Sequence, residues 1–458
     1  MTSFASLAFI FRFLPIFLVV YYLVPSKHRN VVLLLGSIIF YAVGEPIFIG
    51  VLVVLTLINY GVGSAIWKLR CGYEIRDWQK KGRKRYVTFI VILDVLVLLG
   101  FKSLGMFGVS SLLPLGISFY IFKMISYQID IYRNQIMEKP TLCDTAVYFM
   151  LFPQIAQGPI MRFEEGRFDI PRLYSFENFE DGFKYFILGL SMKVLLADRL
   201  AILWNDLQMI GFQSISTPLA WMGAAGYSLQ LYFDFWGYSL MASGLMMMLG
   251  FDFIENFHHP YASRSTSDFY RRWHMTLGSW FRDYIYFPMG GSRCSKMKMV
   301  WNLAVVWMLT GLWHGEKINF LLWGGVLGLL IILEKCFYGK FLEKVPVLGN
   351  VYILFLIPLT WVIFAIPDFS QLMIYFGRLF PMLGGEGIAV NATDFIKYAE
   401  DYGIYFLAGI LLCIPALSTF YERHKKNPFF VFALVVLFWI SIYFVTSTAG
   451  NPFMYLNF

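Results

Sequence analysis

Apolar runs long enough to enter a bilayer recur along the whole chain, separated by short polar loops. Candidate runs fall at 6–24, 30–44, 47–67, 86–104, 112–130, 183–204, 216–234, 236–253, 299–314, 318–334, 347–366, 403–420 and 428–446. Crossing a hydrocarbon core of about 30 Å takes about twenty such residues. The pattern therefore predicts an all-α polytopic membrane protein in which some shorter runs dip into the membrane without crossing. A membrane β-barrel would show alternating segments of about ten residues, and the sequence has no such pattern.

One interruption stands out. Between the runs 299–313 and 318–333 lies LTGLWHGEKINF at 309–320, which places a histidine, a glutamate and a lysine among Leu, Trp and Gly. Both runs are short for a span, and their outer ends carry Lys296, Lys298 and Lys335. Two such helices predict a hairpin that starts and finishes on one side. At 1.5 Å per residue, His314 would lie roughly 24 Å from Lys298. A histidine at that depth is costly unless it faces a wet cavity or a polar partner.

Charge sets the expected orientation. The chain has 458 residues, of which 58% are hydrophobic and 14% charged, with a formal net charge of +8. The basic residues gather in loops, which points to topology more than to nucleic-acid binding. Residues 68–85 hold eight Lys or Arg against Glu74 and Asp77, so this loop is expected to be cytoplasmic. The turn at 26–30 falls on the same side, as do the basic loops at 293–298, 335–344 and 423–426. The acidic stretch within 367–402 and both termini then lie outside. The first run lacks a basic leader and a cleavage site and reads as a retained membrane helix. The five cysteines, Cys71, Cys143, Cys294, Cys336 and Cys413, form no CxxC pair, which argues against a disulfide framework or a zinc site. His258–His259 has no further ligand spacing, so no metal is expected. No repeat or linker divides the chain, and residues 1–458 read as one integral membrane domain.

A second polar concentration is SRSTSDFYRRWHMTLGSWFRDYIYFPMGGSR at 263–293. Ser267 or Asp268 is placed to cap a helix, and Asp268 with Arg272 forms a favourable i,i+4 pair. Trp273, Leu277, Trp280 and Tyr284 share one stripe, with Arg271, Arg282 and Asp283 off it. Such a segment suits an interfacial or partly re-entrant helix. His274 within it is either a packing residue or part of a site. Gln154, Gln157 and Arg162 sit in a Pro-containing apolar stretch, where they line a cavity or satisfy a broken helix backbone. Asp234 is either cavity-lining or the buried partner of a cation.

The stretch DFYRRWHMTLGSWFRDYIYFPMGGSR followed by LTGLWHG resembles the membrane-bound O-acyltransferases, nearest the alginate O-acetylating branch. LPLGISFYIFKMISYQID at 113–130, FPQIAQGPIMRF at 152–163, YFDFWGYSLMASG at 232–244 and ENFHHPY at 255–261 extend the likeness over most of the chain. Between about 340 and 450 only hydropathy speaks. The resemblance implies a bundle of about eleven transmembrane helices, with short re-entrant and interfacial helices around a tunnel. It also implies catalytic roles for His314 and, about 40 residues upstream, His274. Arg271, Arg272, Arg282, Asp283, Asp234, Gln154 and Trp313 are candidate substrate-binding residues. The sequence departs from the family pattern at Trp236 and Glu316, positions that bear on the acceptor more than on the reaction.

The implied activity is transfer of an acyl group, acetyl by resemblance, from a cytoplasmic thioester to a hydroxyl outside. The expected donor substrate is acetyl-CoA, with no cofactor bound. The acceptor would be an extracytoplasmic polysaccharide or a secreted or membrane-anchored partner acetylase. A neutral imidazole, titrating ordinarily near 6.5, is suited to take the hydroxyl proton. No GxSxG elbow occurs, and no cysteine stands in an acyl-enzyme motif, so direct transfer is expected. Alternatives are D-alanyl transfer from a carrier protein to teichoic acid, a transporter and a scaffold. A transporter would be expected to show inverted repeats, which are not visible here. The arginines at 271, 272 and 282 suit either an anionic donor or lipid head groups.

Overall fold

A computed structural model describes residues 3–70, 76–106, 113–383 (apart from 169, 171 and 173) and 390–447. It is 80% helical. The one isolated β-bridge among the described residues pairs Phe257 with Trp273. Among the described residues, five helices are long and apolar enough to cross a membrane alone: Ile49–Lys68, Asp77–Leu104, Ile318–Lys344, Pro346–Ala365 and Pro428–Thr446. Asp394–Cys413 and Pro415–His424, bent by 74° between them, add a sixth if the pair is one span. Other expected runs take different forms. Those at 216–234 and 236–253 are one helix, Thr217–Met248. Nothing breaks it at Gly237, whose missing side chain admits Gly189: a Cβ there would lie 2.7 Å from the Gly189 carbonyl oxygen. The run at 183–204 is helical throughout, with a π-helical turn at Met192–Ala197.

The chain falls into two compact units. One comprises the described residues up to 186 together with 238–255, and the other 187–237 with the described residues from 256 onward. The first unit is built on an aromatic core in which Phe9, Phe13, Phe17 and Phe40 all pack on Phe152. Part of its polar interior is paired. Asn59 donates to Asp94 at 3.0 Å and accepts from Gln128 at 2.9 Å. Such pairing is what buried polar groups need in a low-dielectric interior.

The second unit carries the expected hairpin. Helices Lys296–His314 and Ile318–Leu333 run antiparallel at close range. The glycines make this possible. A Cβ on Gly311 would sit 2.5 Å from the Phe320 carbonyl oxygen, and one on Gly324 would sit 2.5 Å from that of Trp307. Small residues at such a seam let two backbones approach, and dispersion then holds them. The arms are unequal, where the sequence suggests two short arms of similar length. A π-helical turn at Glu334–Tyr338 carries the second arm on to Lys344, so Lys335, expected at its outer end, lies within it.

Candidate active site

His314 is the last residue of the first hairpin arm, at the turn, and only 5% of it is exposed. The turn is tight because a Cβ on Gly315 would fall 2.3 Å from the Phe320 ring. Aromatic rings surround the imidazole. Trp313, Trp323 and Phe364 stand near-perpendicular to it, with centroids at 4.8, 5.0 and 5.3 Å. A side chain placed at a helix terminus and walled by rigid rings loses little further freedom on binding.

His274 comes from a different construction. The segment expected as one interfacial helix is broken into Thr266–Arg272, Met275–Phe281 and a π-helical turn at Arg282–Tyr286. At the break Trp273 is extended and His274 has φ +47° and ψ +54°, the left-handed region that costs a residue with a Cβ. The predicted stripe therefore does not run continuously through Trp273. Residues 256–258 hold the break open. His258 N–H donates to the Arg272 carbonyl, and Met275 N–H donates to that of Asn256, both at 2.9 Å. The Asn256 side chain meets His274 Nδ1 at 3.1 Å. Phe235 stacks edge-on at 4.6 Å.

The short helix before the break is also anchored from outside. Its cap is Ser265, whose hydroxyl accepts from Asp268 N–H at 3.0 Å, and not Ser267 or Asp268. Its first amides, from Thr266 and Ser267, donate at 2.5 and 2.9 Å to the carboxylate of Glu334 on the second hairpin arm. A buried carboxylate at a helix N-terminus satisfies orphan amides and suits the helix dipole.

These elements enclose a cavity of about 350 Å³ lined by both histidines, with Tyr270, Trp273, Trp307, Thr310 and Trp323 among its walls. Its cations are Arg271, Arg282 and Lys335. The Arg271 and Arg282 side chains are 77% and 55% exposed, whereas His274 and His314 are buried. The cavity thus runs from a cationic mouth to a floor bearing two imidazoles. That arrangement can receive an anionic molecule and put its far end beside groups that exchange protons.

Of the other expected residues, Trp313 contacts both imidazoles, 6.1 Å from His274 and 4.8 Å from His314 between centroids. Arg272 is turned to Asp268 at 3.1 Å, and Asp283 pairs with Arg282 at 2.9 Å; neither lines the cavity. Asp234 is a buried partner of Lys193 at 2.7 Å, and Lys193 also holds Asp198 at 2.7 Å. Gln154 belongs to the first unit, where it accepts from the buried Lys123 at 2.7 Å. Sequence reasoning missed Asn256, Glu334 and Lys335 as site residues. Lys335 reads in sequence only as a topology signal, and Asn256 lies in the ENFHHPY stretch at 255–261 with nothing to mark its role.

The profile of the membrane-bound O-acyltransferase family matches residues 33–366, which contain every residue of the cavity. A probable alginate O-acetylase, AlgI, of Azotobacter vinelandii is 37% identical over 92% of this chain and 86% of its own. A peptidoglycan O-acetyltransferase of Helicobacter pylori is 27% identical over 98% of this chain and 96% of its own. A teichoic acid D-alanyltransferase of Bacillus subtilis is 31% identical over 46% of this chain and 56% of its own. With several membrane-length apolar helices, a family match over most of its length and acyl-transferring relatives, this multi-pass membrane protein belongs to the membrane-bound O-acyltransferase family and is an O-acyltransferase.

Proposed function

We propose that this protein transfers an acetyl group from acetyl-CoA on the cytoplasmic side to a hydroxyl outside, on a cell-envelope polysaccharide or a partner acetylase. The observation that carries the reading is a cavity that has Arg271, Arg282 and Lys335 at its mouth and both His274 and His314 at its floor. Phosphates of the donor would meet the cations while the thioester reaches the histidines. The acceptor oxygen attacks the thioester carbonyl as His314 takes the hydroxyl proton; the C–S bond breaks, and the imidazolium passes that proton to the departing thiolate to release the thiol. The protein would sit in the cell membrane with both termini outside. The relatives named for alginate and peptidoglycan O-acetylation support a polysaccharide acceptor. The relative named for teichoic acid D-alanylation keeps a carrier-borne donor as the competing outcome.

Purified protein in bilayer discs should pass radiolabel from acetyl-CoA to the polymer, or to a partner acetylase, as an alkali-labile ester. No transfer from acetyl-CoA, together with transfer from a D-alanyl carrier protein, would replace this reading with the other.

A further inference from the structure

Asn256 stands where the strained break at His274 is held open, and its side chain has one orientation that fits. Its Oδ1 lies 3.1 Å from His274 Nδ1, 3.3 Å from the Thr276 backbone nitrogen and 2.9 Å from Thr276 Oγ1. A backbone N–H can only donate, so the amide atom facing it must be the carbonyl oxygen. With the amide turned that way, His274 Nδ1 must carry a proton and donate to Asn256. The neutral ring then has its lone pair on Nε2. Backbone pairing reinforces the geometry: Met275 N–H to the Asn256 carbonyl and His258 N–H to the Arg272 carbonyl tie the two segments together. Asn256 is 3% exposed and His274 likewise, so water is poorly placed to supply a substitute acceptor.

We propose that Asn256 is a positioning residue for acyl transfer: it locks His274 into the Nδ1–H tautomer, so that the second imidazole of the cavity presents an unprotonated Nε2. Its effect is exerted through His274, and Asn256 itself lines no part of the cavity. The inference rests on the reading of this cavity as the place of transfer. It adds a division of labour between the two histidines, in which one is fixed by a rigid amide and the other by a wall of aromatic rings. It also gives the left-handed backbone at His274 a purpose, since a regular helix through Trp273 would not have this pairing with Asn256 and Phe257.

The test uses full-length protein in bilayer discs, labelled with ¹⁵N-histidine, with the His274 signals identified by their loss in His274→Gln. The expected spectrum shows a neutral ring protonated at Nδ1 and bare at Nε2. Asn256→Asp, which keeps an acceptor oxygen of the same shape, should keep that tautomer and keep turnover within several-fold of wild type. Asn256→Ala should lose the tautomer and reduce turnover per folded protein by about 10–100-fold at an unchanged donor KM. An Nε2–H tautomer in the wild type would overturn the proposal, as would full turnover by Asn256→Ala. If His314→Ala transferred acyl groups normally, the proposed mechanism would fall instead, and the tautomer result would still stand on its own.

Discussion

His314 was legible in the sequence because a polar side chain between two apolar runs is energetically conspicuous. Asn256 was not, because an asparagine in a loop has no distinctive cost until its partner is known. The arginines show the same limit from the other side. Sequence pattern grouped Arg271, Arg272 and Arg282, but Arg272 is drawn to Asp268 while Lys335, from a distant helix, joins the other two. Substituting Arg271, Arg282 or Lys335 by alanine should raise the donor KM several-fold and leave kcat within about twofold. Arg272→Ala should leave KM near the wild-type value. Steady-state kinetics over a donor series separates the four, and an equal KM rise in all of them would mean a general field effect in place of a defined mouth. Asp234, between aromatics, was read with two outcomes open, and the ion pair with Lys193 places it as a buried partner.

At the level of elements, the hairpin was readable from two apolar runs too short to cross, lysines at their outer ends and the polar turn between them. Its unequal arms were not readable, because lysines mark both helix ends and the last turns of a continuing helix. The break at His274 was equally hidden. No glycine or proline signals it, and it depends on pairing with residues 256–258, which is a tertiary effect. The hairpin's closeness makes a sharp prediction. Gly324→Val would force a side chain to within 2.5 Å of the Trp307 carbonyl oxygen. It should destabilise the protein by about 1–3 kcal/mol or more, read as a lower thermal midpoint in detergent. Its neighbour Gly325 has only the Met308 sulfur near, at 3.8 Å, so Gly325→Val should melt close to wild type. Equal losses at both positions would remove the seam as the cause.

On the scale of the whole chain, the class was plain from hydropathy and the count of spans was not. Length and apolarity decide a span only when a helix is uninterrupted, and several here are short, polar-bearing or bent. Orientation follows from the basic loops and is open to direct test. In a cysteine-free background, Lys81→Cys should resist an impermeant thiol reagent in intact cells, while Asn391→Cys should react. The reverse pattern would invert the proposed topology and put the cationic mouth on the wrong side for acetyl-CoA.

The proposed mechanism comes down to one imidazole at the hairpin turn. The measurement that tests it most directly is transfer of labelled acetyl to acceptor by purified, monodisperse His314→Ala protein. A base that takes part in proton transfer contributes roughly 10²–10⁴ in rate. The variant should therefore keep the wild-type melting profile and lose at least about 100-fold in turnover. Near-normal turnover by folded His314→Ala would contradict the mechanism at its centre.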